Sequence, residues 1–215
     1  MMMPRNAGPY ADIMLYEGYN ALRLQRRVPP VGQIERAFDL LNIRYDVRVD
    51  SATGGAAFVE RPTAFAHARM IYDVRLVDSA RAHAMLAAGE LDLARSAVVE
   101  DDPGIAFDPA GKGDATITRY DAREIEVKVN TDRPGLLLLS EIWYPAWQVT
   151  IDGAPAKLLR ANHSLRGIAV PAGSHTVALH FESSAFRTGT WVTIASLLVG
   201  AVGVAIMGMR LKRKV

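Results

Sequence analysis

Cysteine is missing from the 215-residue chain. A disulfide scaffold, a cysteine nucleophile and a thiolate metal site are thereby excluded, while the redox compartment stays open. Charge of one sign is also scarce. There are 25 Lys and Arg against 23 Asp and Glu, a formal net charge of +2. Arg210, Lys212, Arg213 and Lys214 crowd the C-terminus, and without these four the chain carries 21 basic against 23 acidic groups. That balance argues against nucleic acid as a partner, because a phosphate-binding face needs an excess of cations.

Catalytic constellations are absent too. The five histidines, His67, His83, His163, His175 and His180, include no pair at i, i+4, and no zinc motif is present. Gly111-Lys112-Gly113 fails as a phosphate loop: no glycine lies five residues before Gly111, and Gly113 stands where Ser or Thr is required. His163 and Ser164 are adjacent and would diverge on a strand, so they make no nucleophile–base pair. Glu100, Asp101 and Asp102 precede Pro-Gly and read as a solvated run. No catalytic residue, no metal and no cofactor is expected.

What the chain does have is hydrophobic residues, 50% of the total, enough for a packed core. Residues 188–209 contain no charge and are bounded by Arg187 and Arg210. As a helix this stretch would run about 33 Å, against a hydrocarbon core of about 30 Å. It is apolar on all sides, which predicts a transmembrane helix rather than a core helix. Trp191 fits an interfacial anchor. The basic residues that follow place 210–215 as a cytoplasmic tail and the preceding domain outside the cytoplasm. Residues 1–14 show no basic and apolar signal-peptide pattern. Export of the domain therefore has two explanations: the chain is the last piece of a larger polytopic protein, or it is tail-anchored with its domain in the cytoplasm. The charge rule disfavours the second. Ser196 and Gly200, then Ala201 and Ala205, are spaced for close approach by partner helices.

The rest reads as α+β: a small N-terminal α/β portion over 1–104, then an antiparallel β-sandwich over 114–183. Ile34, Ala37, Phe38 and Leu41 repeat at i, i+3, i+4, i+7 and predict a helix over 31–42. Residues 43–49 alternate and predict a half-buried strand, with another near 69–77. Ser79–Ala88 is bounded by Asp78 or Ser79 as N-cap and by Gly89, which predicts a short helix. Residues 101–114 are rich in Asp, Pro and Gly and read as a linker. Beyond it, short strand patterns recur at intervals of about ten residues. Ile125, Val127 and Val129 alternate with charged residues, Leu136–Leu139 is continuously apolar and predicts a strand buried on both faces, and Asp152-Gly153 is a hairpin turn signal.

One run stands apart. Glu141, Trp143, Tyr144 and Trp147 gather large rings and a carboxylate at a corner closed by Pro145. Two readings are open: sandwich core, with Trp147 filling it, or a platform on which a sugar ring or a lipid headgroup stacks. Arg160, Asn162 and Arg166 near another turn are either hairpin surface or contacts to an anionic group. Asn162-His163-Ser164 also fits the glycosylation acceptor pattern.

The run Leu138-Leu-Ser-Glu-Ile-Trp-Tyr-Pro-Ala-Trp-Gln-Val-Thr-Ile-Asp-Gly153 resembles the C-terminal region of the bacterial YfhO-like membrane protein family. So do Arg160-Ala-Asn-His-Ser-Leu-Arg-Gly167 and Val170-Pro-Ala-Gly-Ser-His-Thr-Val177. Gly18–Leu22, Leu40–Tyr45 and Arg69–Tyr72 are similar more loosely. Ala146 departs from the glycine usual there. The resemblance implies the last extracytoplasmic β-domain and final helix of a large polytopic protein related to membrane glycosyltransferases that use lipid-linked sugars. The partners it implies are the lipid bilayer of a bacterial cell membrane, a lipid-linked sugar or glycan, and other transmembrane helices. No catalytic residue of the family maps onto the chain. The alternative is a structural module that packs on partner helices and binds no ligand.

Overall fold

The structure is a computed structural model that describes residues 26, 28–49 and 52–212, with side chains through 203. The loose similarity at Gly18–Leu22 and the last three residues of the basic tail, 213–215, lie outside the described residues. Helix α1 covers Ile34–Leu40 and is followed by a two-stranded antiparallel hairpin, β1 (Tyr45–Val49) and β2 (Ala56–Glu60). Arg61 ties this hairpin to α1. Its guanidinium donates to Asp39 at 2.9 Å and to Asp46 at 3.2 Å, and also pairs with Glu35.

The stretch 69–77 forms two strands, β3 (Ala68–Ile71) and β4 (Asp73–Leu76). They are separated by Tyr72, whose ring leaves the sheet to lie against Gly111, Gly113 and Gly135. Its hydroxyl meets Thr131 Oγ1 at 2.7 Å. A Cβ on Gly113 would stand 2.5 Å from Tyr72 Oη and 2.9 Å from Thr131 Cα, so glycine is required there by space. Helix α2 runs over Ser79–Ala88. The Asp78 side chain accepts from Arg81 N at 2.8 Å, and Gly89 closes the helix in the left-handed conformation at φ 70°. Strand β5 is Ser96–Val99.

Eight more strands follow: β6 (Gly113–Tyr120), β7 (Glu124–Thr131), β8 (Gly135–Ile142), β9 (Trp147–Ile151), β10 (Ala154–Ala156), β11 (Leu159–Ala161), β12 (Leu165–Val170) and β13 (Gly173–Phe181). Two sheets result. One has five strands in the order β10-β9-β13-β7-β6, all antiparallel. The other has six, in the order β3-β8-β12-β11-β5-β4, with β4 and β5 parallel. The six-stranded sheet thus draws β3, β4 and β5 from before the loop at 101–112 and β8, β11 and β12 from after it.

The sheets face each other across a core of Ile125, Val127, Val129, Val149, Val177 and Leu179 on one side and Leu137, Leu139, Ile168 and Val170 on the other. The opposite face of the six-stranded sheet presents Leu136, Leu138, Leu159 and Leu165 to Ala82, Met85 and Leu86 of α2 and to Leu40. Strand β8 therefore sits between both layers, which is why four leucines in succession are all buried. The alternation in β7 matches its burial residue by residue. Asp152 (φ 51°) and Gly153 (φ 82°) make the two-residue turn between β9 and β10, as their types predict.

Helix α3, Ser184–Lys212, begins three residues after β13 ends. From Ser184 to Gly203 it is long and apolar enough to cross a membrane, and none of that stretch is buried against the sandwich. Phe186 is 74% exposed and Trp191 66%. At about 1.5 Å per residue its 29 residues extend about 44 Å. The hydroxyls of Thr190, Thr193 and Ser196 donate to the carbonyls of Phe186, Gly189 and Val192, so their polarity is satisfied within the helix.

Candidate functional site

Two irregularities in the sheets build a polar cluster at one end of the sandwich. Along β12, Leu165 pairs with Ile142 while the next residue, Arg166, pairs with Leu139. Ser140 and Glu141 are therefore bulged out of the ladder, and Ser140 N bonds instead to His67 O at 2.8 Å. In β6, Ile117 pairs with Val127 but Arg119 pairs with Glu126, leaving Thr118 as the extra residue. That bulge reverses the alternation beyond it. Tyr120 pairs with the buried Ile125 and so directs its hydroxyl toward Glu141, while its ring stays 42% exposed.

Glu141 Oε1 accepts from His67 Nε2 at 2.8 Å and from the Tyr120 hydroxyl at 2.5 Å. Oε2 faces the Arg166 guanidinium at 3.7 Å. Arg166 is 5% exposed, donates Nε to Ile142 O at 3.0 Å and lies over the Trp147 ring at 4.1 Å from its centroid. The His67 and Tyr120 rings meet edge to face at 5.1 Å. Burial raises the Glu141 pKa, but the hydrogen bonds from His67 and Tyr120 and the charge of Arg166 together outweigh it, so the carboxyl lies below its ordinary value. Burial, and then the Glu141 charge, hold the Tyr120 hydroxyl far above its ordinary value. Burial lowers the Arg166 pKa, with Glu141 opposing the shift. Glu141 is thus an ionised carboxylate with two hydrogen bonds at Oε1 and a guanidinium facing Oε2. It joins β8, β12, β6 and the segment leading into β3 across the two sheets. A group so engaged ties the end of the sandwich together.

Of the other candidates, Trp143 and Arg160 come together in a second cluster. The Arg160 guanidinium lies 4.1 Å from the Trp143 ring centroid, and Trp143 Nε1 donates to Leu158 O at 3.4 Å. Arg160 also approaches Glu100 at 3.8 Å, and Arg26 donates to both Glu100 oxygens at 2.7 Å. Glu100, read from the sequence as part of a solvated run, is instead a mostly buried ion-pair centre, whereas Asp101 and Asp102 are exposed. Tyr144 belongs to neither cluster. It is exposed, stacks on Phe181 with centroids 6.1 Å apart, and lines a shallow groove with Glu182 and Arg187 at the base of α3.

Asn162 is fully buried. Its N–H donates to Val98 O at 2.9 Å and its Oδ1 accepts from Val98 N at 3.1 Å, so the residue extends the pairing of β11 with β5. The glycosylation pattern at 162–164 therefore has no accessible acceptor. His67, Tyr120 and Glu100 were not among the candidates from sequence. A strict two-residue alternation puts Tyr120 on the outer face, and only the Thr118 bulge brings it in. Among the described residues no group of three or more His, Asp or Glu could hold a metal ion.

Residues 106–193 match the model of a family described as bacterial membrane protein YfhO. No curated protein and no solved structure matches. The matched segment runs from the loop before β6 into the third turn of α3 and contains every candidate residue named from the sequence. Over that segment the chain is therefore similar to a bacterial membrane protein family, and an apolar helix long enough to cross a membrane leads out of it.

Proposed function

We propose that this chain is a non-catalytic module on the extracytoplasmic side of a bacterial membrane. In this reading α3 anchors it beside other transmembrane helices, and the sandwich stands at the membrane surface. The observation that carries the reading is α3: its described apolar side chains face outward on every side, directly after a sandwich whose own core is complete. Such a surface needs lipid or other helices around it. The basic residues Arg210, Lys212, Arg213 and Lys214 support a cytoplasmic C-terminus. The bonds that Glu141 makes to His67 and Tyr120, with Arg166 facing it, support a structural role for the cluster around it.

Assistance with a glycan or a lipid-linked sugar is the second reading, favoured by the exposed Tyr144 ring at the base of α3. Against it, one face of Trp143 and one of Trp147 are covered by Arg160 and Arg166, and both rings are half-buried, which reduces the surface on which a sugar could stack. A reporter that works only in the cytoplasm, fused after Val215, tests the topology: activity supports the proposal, and activity only of an extracytoplasmic reporter overturns it. Titration of the purified chain with a lipid-linked sugar, read by tryptophan fluorescence, should leave the spectrum unchanged. A saturable change that Tyr144→Ala abolishes would establish the second reading.

A further inference from the structure

We propose that the groove between the end of the five-stranded sheet and the first turn of α3 seats the phosphate of an anionic phospholipid from the bilayer that α3 enters. The inference rests on the anchoring reading above. The groove, of about 470 Å³, is formed by Arg123 from the β6–β7 loop, His180 and Phe181 at the end of β13, Glu182 and Ser183 after it, and Phe186 and Arg187 at the start of α3. It therefore combines two guanidinium groups with the exposed Phe186 ring, the pairing that a headgroup and the upper part of its acyl chains require.

Its level is fixed by the charge-free run. Thr188 is the first residue of that run, so Arg187 marks the edge of the hydrocarbon, where lipid phosphates lie. Phe186 is 74% exposed on the same turn, and Trp191 lies one turn deeper. Two of these groups have acidic neighbours: Arg187 pairs with Glu182 at 2.5 Å and the His180 ring faces Glu124 at 3.5 Å. Arg123 makes no ion pair among the described residues. Its backbone is fixed on both sides, N–H donating to Asp121 Oδ1 at 3.0 Å and C=O accepting from Phe181 N at 2.8 Å. A fixed backbone beside an uncompensated guanidinium holds one positive charge over the groove, and one phosphate neutralises it.

The test uses the full chain, as wild type, Arg123→Gln and Lys128→Gln. Lys128 lies on the outer face of β7, exposed and remote from the groove, and its replacement removes the same charge. Flotation with vesicles checks the anchoring first; a wild-type chain that stays in the aqueous fraction defeats the anchoring reading itself. Native mass spectrometry of the detergent-solubilised chain, titrated with phosphatidylglycerol, then measures lipid retention. One cation near a membrane surface corresponds to about a fivefold change in affinity. Arg123→Gln should weaken retention by that factor and Lys128→Gln should not. Equal behaviour of the two variants, whether both weaken or neither does, overturns the inference while leaving the anchoring intact, as does a floating wild type that retains no phosphatidylglycerol.

Discussion

Replacing Glu141 with alanine probes the cluster at the end of the sandwich. The change removes the acceptor of two hydrogen bonds, from His67 at 2.8 Å and Tyr120 at 2.5 Å, and the counter-charge of a buried Arg166. A hydrogen bond to a charged group contributes about 1.5–3 kcal/mol, and breaking a buried ion pair by removing one partner costs about 3–5 kcal/mol. These figures describe one carboxylate and do not add. The 3.7 Å separation from Arg166 and the partial exposure of Glu141 move the cost toward the lower end, to about 3 kcal/mol. Glu141→Gln keeps an acceptor for both donors and loses only the charge, so it should cost about half as much. Urea unfolding of the full chain in mild detergent, followed by the fluorescence of Trp147 and Trp143, measures both. A loss below about 1 kcal/mol for the alanine variant would refute the view that this carboxylate ties the sheets together. The pH dependence gives an independent sign. The folded pKa of Glu141 is depressed, so its contribution is present above the ordinary carboxylate range and fades as pH falls through the folded value. In Glu141→Gln that part of the acid sensitivity should be missing.

Three further outcomes are expected. Gly113→Ala, whose Cβ would collide with Asn130 O and the Tyr72 hydroxyl, should lower the unfolding midpoint markedly, whereas Gly54→Ala, with open space around it, should pay only for its φ of 69°. Asn162→Ala leaves Val98 N without its acceptor at a buried position and should cost about 1–3 kcal/mol in the same unfolding assay. His175, bonded to Asp152 at 2.6 Å, has a raised pKa caused first by that hydrogen bond. Its contribution to stability is therefore full below the ordinary histidine value of about 6.5 and is lost as pH rises through the folded value. NMR titration should show the shift, and Asp152→Asn should abolish it.

The sequence carried the fold wherever a local pattern was sufficient. Alternation in 125–129, the unbroken leucines of 136–139, the caps of α2 and the Asp152-Gly153 turn each correspond to an element or turn in the structure. What local patterns do not encode is register. Tyr72 interrupts an apparently continuous strand because three glycines from elsewhere in the chain make room for its ring. Thr118 reverses the facing of Tyr120, and the bulge at Ser140–Glu141 aims a carboxylate between sheets. The seven candidate residues consequently divide. Arg166 meets both Glu141 and Trp147, Arg160 meets both Trp143 and Glu100, Tyr144 stands apart, and Asn162 is part of a sheet. Adjacent residues at a corner point in different directions, and only the long-range pairing decides which of them become neighbours.

The mixed origin of the six-stranded sheet bears on how the chain must be made. During synthesis β3, β4 and β5 leave the ribosome long before β8, β11 and β12 exist to pair with them, so this layer assembles late, when most of the sandwich is already available. A truncated protein starting at residue 106 would contain the whole family match yet lack the partners of β8 and β11. Its leucine-rich strand would then offer a bare edge to any other copy, and such a piece should precipitate where the longer chain stays dispersed.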